Sequence, residues 1–303
     1  MIVLAGEALI DLAADGDRLV PLPGGSPYNV AIGVARLGRP AGFVGRLSTD
    51  GFGRRLQDQL ASEGVDLSLT TLTDEPTTLA VVHLDERGQA TYRFYLAGTS
   101  AAGMRTGELP ELPNDAILHV SFGAIGPGTL PAGHALSALL GREHGRRLTS
   151  LDPNVRPAAI DDLDGARLRL EALLAKVDVV KVSDEDLAVL YPGRADVDVA
   201  AAWLERGPAL VVVTRGARGG WASTARHRIE VAAPNVDVVD TVGAGDAYSA
   251  GLLAWLDTHG LRSKTAVEAV EASDLEDALG YAASVAALTC TRAGADPPRA
   301  SQL

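Results

Sequence analysis

Cysteine is nearly absent. Cys290 is the single one in 303 residues, which excludes an internal disulfide and any metal site built from several thiolates. A reducing compartment fits that usage. Aromatic residues are also scarce, at 4% of the chain, so ring stacking can supply little of any binding energy. Basic residues are outnumbered, 27 against 39 acidic ones, giving a net charge of −12. That balance argues against a nucleic-acid partner, which needs a basic footprint. It leaves room for a small anion, because backbone amides can bind phosphate inside an acidic protein. No run of about 18 apolar residues is present, so no membrane partner is expected. The opening Met1-Ile2-Val3-Leu4-Ala5 has no basic n-region, and Glu7 and Asp11 follow at once. It reads as a first strand of a cytoplasmic protein and not as a signal peptide.

Hydrophobic residues make up 47% and charged ones 22%, enough for a full core. At about 150 residues per domain, the length fits two domains or one large α/β domain carrying an insertion. Short apolar runs at 2–5, 41–44, 116–120, 147–151, 177–180 and 209–214 read as buried strands. Helical patterns separate them at 27–37, 52–62, 131–143, 163–175, 197–206, 243–256 and 274–289. This alternation predicts a mostly parallel sheet with helices on both faces. Two stretches break it. Residues 12–22 are polar and turn-rich. Residues 77–96 alternate like a hairpin, with a turn near Glu86-Arg87-Gly88. The hairpin either extends the main sheet at an edge or builds a small separate β-element, a lid. The tail from Asp296, with Pro297-Pro298, reads as frayed.

The chemistry concentrates in a few segments. In Asp240-Thr241-Val242-Gly243-Ala244-Gly245-Asp246, the glycines stand where a helix begins. Unpaired amides and the positive end of the helix dipole suit an anion there, including charge developing on a transferring phosphoryl group. Asp246, in the first turn, can take a proton from a hydroxyl nucleophile. The bland reading is a helix start capped by Asp240 with glycines for close packing. Near the N-terminus, Asp11 and the Gly24-Gly25-Ser26-Pro27-Tyr28-Asn29 helix start bring acceptors and donors suited to a polyol. Each, taken alone, reads equally as turn chemistry. Asp152-Pro153-Asn154-Val155-Arg156 follows a strand, where ligands of open parallel sheets gather. Arg156 either holds an anion or is a surface residue. Lys181-Val182-Ser183-Asp184-Glu185-Asp186 opens a helix, and its carboxylates either cap that helix or approach a hydrated Mg²⁺. Thr214-Arg215-Gly216-Ala217-Arg218-Gly219-Gly220 is a glycine-rich turn that lies against a nucleotide or simply links two strands. A P-loop, a nucleophile elbow and a His-Glu-x-x-His zinc motif are all missing. The dispersed histidines, His83 and His119 among them, read as packing residues.

Taken together, these segments resemble the ribokinase-like (PfkB-type) carbohydrate kinases over nearly the whole chain. One signature is Gly24-Gly25 continuing through Asn29 to Ala35-Arg36-Leu37-Gly38, Gly45 and Asp50-Gly51-Phe52-Gly53. The other is Asp240 to Ala247, with Asp152 to Arg156 between the two. Within the family the chain is most similar to bacterial fructokinases, through Gly6-Glu7-Ala8-Leu9-Ile10-Asp11 and Thr289-Cys290-Thr291-Arg292-Ala293-Gly294-Ala295. 2-Keto-3-deoxygluconate kinases are the near alternative, and a sugar- or nucleotide-binding sensor on the same fold is the non-enzymatic one. The resemblance implies a three-layer αβα sandwich with a small β-sheet lid, one kinase domain over 1–303 with lid segments at about 12–22 and 77–98.

It implies ATP-dependent phosphorylation of a sugar's primary hydroxyl, with Asp246 as base and the amides of Gly243, Ala244 and Gly245 as anion hole. Asp11, Gly25, Asn29 and Arg156 would bind the sugar. Lys181, Ser183, Thr214, Gly216, Gly219 and Gly245 would bind the nucleotide. Asp186 would reach Mg²⁺ through water. Asp240, Val242, Arg292 and Gly294 would hold K⁺. Pairing of two copies through the lid is a further implication. The chain departs from the family pattern in three places. Ser183 and Asp186 stand for an Asn and a Glu, Leu96 for an Arg that would bind a sugar acid, and Pro298 for a Ser beside the K⁺ loop. The loss of the Arg favours a neutral sugar, unless Arg93 or Arg105 substitutes.

Overall fold

The computed structural model describes residues 1–16, 18–84, 90–128 and 130–303. Its strands are β1 (Ile2–Gly6), β2 (Leu9–Asp15), β3 (Arg18–Gly24), β4 (Ala41–Val44), β5 (Arg46–Ser48), β6 (Thr71–Thr73), β7 (Leu79–Leu84), β8 (Ala90–Tyr95), β9 (Ile117–Ser121), β10 (Thr149–Asp152), β11 (Val179–Ser183), β12 (Leu210–Thr214), β13 (Gly220–Ser223) and β14 (Arg228–Val231). The α-helices are α1 (Ser26–Arg36), α2 (Gly51–Ser62), α3 (Pro131–Glu143), α4 (Leu163–Leu174), α5 (Asp184–Leu190), α6 (Asp196–Leu204), α7 (Ala244–Thr258), α8 (Lys264–Glu268) and α9 (Ala272–Cys290).

Eight strands form the main sheet in the order β14-β13-β12-β11-β10-β9-β1-β4. The pairs from β12 to β4 are parallel, and β13 and β14 are antiparallel. Its central strands are buried on both faces, which is why they read as unbroken apolar runs. Alternate residues divide between two cores. Ile2, Leu4, Ile117, Val179 and Val212 pack with α1, α2, α7 and α9. Val3, Ala5, Leu118, Val180 and Val213 pack with α3, α4, α5 and α6. The αβα sandwich expected from the alternation is therefore present. Among the described residues no helix is long and apolar enough to cross a membrane.

The hairpin at 77–96 does not extend the main sheet. β7 and β8 join β2 and β3 in a second sheet of order β3-β2-β7-β8, with β2 and β7 parallel. The turn expected at 86–88 lies outside the described residues. Residues 12–22 are mostly strand, where polarity had suggested turns. Leu19 and Leu22 are exposed there, so no buried apolar run announces β3. A short parallel pair, β5 and β6, forms a third sheet.

The C-terminal tail is pinned, contrary to the frayed reading. Arg36 of α1 bonds the Asp296 carboxylate, the Pro297 carbonyl at 2.8 Å and Glu63 at 2.6 Å. Arg299 reaches the second Glu63 oxygen at 3.0 Å, and Pro297 and Pro298 are buried.

Candidate active site

The carboxyl ends of the parallel strands fall level. Gly6 pairs with Ser121, Ser121 with Asp152, and Ser183 with Thr214. The loops leaving these ends carry most of the residues singled out above, as expected for an open α/β sheet. β2 of the second sheet stands over the same edge. Asp11 is its third residue, paired with Leu22 and Ala80, and so lies within a strand and not in a turn.

Gly24 and Gly25 allow the approach of α1 to Asp11. A Cβ on Gly24 would fall 2.3 Å from an Asp11 carboxylate oxygen. One on Gly25, where φ is +106°, would fall 2.6 Å from the Glu7 carbonyl oxygen. From the first turn of α1, the Asn29 amide donates to Asp246 at 2.8 Å. Asp246 opens α7 behind Gly243, which takes φ +76° as the residue before the helix. A Cβ on Gly243 would meet Ala295 at 2.5 Å, so glycine is required twice over. Asp240 does not cap α7. Its carboxylate accepts from Val242 N at 3.0 Å and Gly294 N at 2.8 Å, joining the two loops expected to hold K⁺. The Arg292 side chain turns to Asp296, so only its carbonyl could serve a cation there.

Electrostatics binds these groups into one unit. Burial pushes the half-buried Asp246 carboxyl up, while hydrogen bonds from Ser26 and Asn29 and the charge of Lys181 pull it down. Burial raises Asp11 to about 6, against the pull of Arg156 and with a push from Asp246. Glu7, part of the Gly6–Asp11 signature but given no role from the sequence, is almost fully enclosed. Burial lifts it to about 7, although both its oxygens accept from Ala124 N, at 3.2 and 3.1 Å. Arg156 acts on Glu7 and on Asp11 alike. Tyr92 of β8 belongs to the same group, its hydroxyl raised by burial and by Asp11. A carboxylate in an apolar run directly after a strand was the available signal for Glu7. Nothing local marked Tyr92, since its place depends on the second sheet.

Lys181 and Asp152 form a buried pair at 2.9 Å, each side chain at most 6% exposed. Burial alone would lower the ammonium's pKa, but Asp152, assisted by Asp246 and Asp186, outweighs it and raises it. The amine lies 3.2 Å from where a Gly245 Cβ would stand, beneath the α7 N-terminus. Asp186 is raised to about 6 by burial and then by Asp152, and its oxygen accepts from Val155 N at 3.2 Å. Ser183 caps α5, accepting from Asp186 N at 3.0 Å. Asn154 has φ +44° and is held by Asp152 through its own N–H at 3.0 Å. Its side-chain amide reaches Ser121 at 3.4 Å, and Ser121 donates to Ser26 at 3.0 Å. His119 sits behind this cluster, bonded to Ser150 at 3.0 Å and lowered to about 4 by burial, a packing histidine as expected.

Thr214, Gly216 and Gly219 lie beside Ser183 at the adjoining strand end, apart from the Asp11–Asp246 cluster. The turn is shaped by Gly219, whose N–H bonds Gly216 at 3.0 Å and whose Cβ would lie 2.1 Å from the Val231 carbonyl oxygen. Arg218 pairs with Asp184 across the turn and Arg215 with Asp196 at 2.7 Å.

Metal fit can be judged from the donor set. Among the described residues no three His, Cys, Asp or Glu side chains converge on one point. A hydrated Mg²⁺ needs only one or two carboxylates beside phosphate oxygens. Asp186, crowded by Asp152 and raised to about 6, is a carboxylate that such a cation would relieve. At the junction of Asp240, Val242 and Gly294 both carboxylate oxygens already accept from backbone N–H groups, so a monovalent ion there would draw on their remaining lone pairs and on backbone carbonyls.

Residues 1–302 match a family model described as pfkB family carbohydrate kinase. The fructokinase of Rhizobium leguminosarum bv. trifolii is 41% identical over 284 residues, covering 91% of this chain and 86% of that protein. The structure of fructokinase with bound ATP from Xylella fastidiosa matches with TM-score 0.89 at 30% identity, over 97% of this chain and 93% of that one. Fructokinase from Vibrio cholerae O395 in its fructose, ADP and calcium ion bound form matches with TM-score 0.82 at 29% identity, over 97% and 94%. A double mutant of that enzyme, in its fructose, ADP and potassium ion bound form, matches with TM-score 0.82 at 29% identity, over 97% and 93%.

Proposed function

Because the chain belongs to the pfkB family of carbohydrate kinases, we propose that it is a fructokinase, transferring the γ-phosphoryl group of ATP to the primary 6-hydroxyl of D-fructose. The observation that carries this reading is Asp246, partly desolvated in the first turn of α7 and oriented by Asn29 at 2.8 Å. Asp246 takes the hydroxyl proton as the oxygen attacks the γ-phosphate in line. Its raised pKa makes it a stronger base than an exposed carboxylate. The amides of Gly243, Ala244 and Gly245 receive the charge that develops on the transferring group. One such donor is typically worth about 3 kcal/mol, so electrostatic stabilisation outweighs base catalysis.

Fructose is held by Asp11, Asn29 and the Gly25 backbone, with Arg156 steering the phosphoryl group. Lys181, Ser183, Thr214, Gly216 and Gly219 line the ATP side. Mg²⁺, approached by Asp186 through water, supplies charge neutralisation on the phosphates when bound. K⁺ would sit at Asp240, Val242, Arg292 and Gly294 and fix the loop before α7. The second sheet serves as the lid, carrying Asp11 and Tyr92 against the substrate and excluding water. Its exposed Leu19, Leu22 and Tyr95 support pairing of two copies through that sheet, in the cytoplasm. The kinase domain is single, covering 1–303, with lid segments at about 12–22 and 77–98.

A neutral sugar fits better than the acid 2-keto-3-deoxygluconate. The Arg156 guanidinium already acts on two carboxyl groups, Glu7 and Asp11, while Arg93 and Arg105 are exposed. A purely sugar- or nucleotide-binding sensor would have no use for a partly buried base at an anion hole. The test is ADP release with Mg·ATP and K⁺ on fructose, ribose, tagatose, adenosine and 2-keto-3-deoxygluconate. Fructose is expected to lead. A lead for the keto acid would overturn the sugar assignment, and silence on every acceptor would overturn the kinase assignment.

A further inference from the structure

We infer that Asp152 is a positioning residue that serves both substrates through different oxygens. Its Oδ2 accepts from the Lys181 ammonium at 2.9 Å. Its Oδ1 accepts from Asn154 N at 3.0 Å, closing the turn in which Asn154 takes φ +44° and from which Arg156 emerges. The first bond aims a cation at the phosphate side of the site. The second sets the loop that brings Arg156 to Glu7 and Asp11 on the sugar side.

The burial of the pair gives the argument its force. Asp152 is 2% exposed and Lys181 5%. A lysine that deep loses its proton or its position unless an anion holds it. Three carboxylates act on the amine, Asp152, Asp246 and Asp186, but only Asp152 hydrogen-bonds it. Without that tether, the ammonium would be drawn toward the proposed base or the proposed metal-side carboxylate. Gly245 leaves the path from the amine to the α7 N-terminus open, since a Cβ there would lie 3.2 Å from Nζ. Asp152 therefore keeps a charged lysine beneath the anion hole and away from Asp246 until a phosphate arrives. It makes no contact with the reacting atoms.

The inference rests on the proposed nucleotide role of Lys181, and the variants separate the two. Asn at 152 keeps an oxygen for Asn154 N but removes the charge that holds Lys181. Ala removes both. Calorimetric titrations read Mg·ATP binding without sugar and fructose binding without nucleotide. D152N is expected to weaken Mg·ATP by about tenfold, as for loss of a charge-assisted hydrogen bond, with fructose affinity within about twofold of wild type. D152A is expected to weaken both ligands. The double variant D152N/K181M is expected to bind Mg·ATP no more weakly than K181M, because Asp152 acts through the lysine. That comparison also decides the case if D152N alone fails to fold, since K181M removes the stranded charge. Unchanged Mg·ATP affinity in D152N, or multiplying effects in the double variant, would overturn the role of Asp152. Wild-type Mg·ATP affinity in K181M would instead overturn the reading of Lys181.

Discussion

Replacing Asn29 with Ala removes a donor that serves the ionised form of Asp246 alone. The bond is 2.8 Å long and partly buried. A hydrogen bond to a charged group contributes about 1.5–3 kcal/mol, and each 1.4 kcal/mol is a factor of ten in an ionisation equilibrium. Burial already raises the Asp246 pKa, with Ser26 and Asn29 among the groups opposing it. Loss of Asn29 therefore raises it further, and the acid limb of kcat moves to higher pH. On that limb, turnover at saturating fructose and Mg·ATP falls by about tenfold to a hundredfold. Above it, turnover recovers toward the wild-type plateau, because the base is then ionised in both proteins. Saturating fructose separates this effect from the proposed contact of Asn29 with the sugar, which would appear in KM. A coupled ADP-release assay from acid to alkaline pH reads both. An acid limb that stays in place while kcat falls uniformly would refute the link between Asn29 and the ionisation of Asp246.

Other expectations can be checked in parallel. Asp246→Asn keeps the fold and fructose affinity but lowers kcat by about 10²–10⁴-fold, read as a normal melting temperature beside lost ADP release. Gly243→Ala forces a side chain into a left-handed conformation against Ala295 and destabilises the protein by about 1–3 kcal/mol, measurable by urea unfolding. Glu7 binds protons more tightly folded, at about 7, than unfolded, at 4.5. Its contribution to stability is thus complete below pH 4.5 and is lost as pH rises through 7, a difference of about 3 kcal/mol. Glu7→Gln should flatten the fall in unfolding free energy across that window, and an unchanged slope would contradict the burial argument. Arg36→Ala, which cuts the bonds from α1 to Asp296 and Pro297 and leaves Glu63 to Arg299 alone, should release the C-terminal tail to proteolysis and lower the melting temperature.

The sandwich was legible because its strands are buried on both faces. A run such as Leu210-Val211-Val212-Val213 has few other readings, and α2 carries an apolar stripe in which Leu56 and Leu60 are buried. The Asp246 loop was legible because part of what its glycines answer is local, a left-handed residue and a bare helix start, whereas the close approach of Ala295 to Gly243 was not. The second sheet was legible only through the family resemblance, because alternation along 77–96 is equally compatible with either sheet. The pairing of Asp11 with Ala80 across many residues decided it. Glu7 and Tyr92 were missed for the same reason, as their chemistry arises from what the fold sets beside them. The tail was misread because Pro297-Pro298 suggests an end that hangs free, while its anchor, Arg36, lies on the first helix.

That anchor bears on how the protein is made. β1, near one edge of the main sheet, has no partner for its β9 side until residue 117 has been synthesised. α1 is not locked until Asp296 and Pro297 reach Arg36. A chain emerging from the ribosome N-terminus first therefore carries α1 and the strands around it long before its final contacts exist. The last eight residues act as a closing latch, and a product that stops ahead of them leaves Arg36 without Asp296 and Pro297 and Glu63 without Arg299. Quality control would meet such a product as an open molecule, distinguishable from the finished one by protease sensitivity at its first helix.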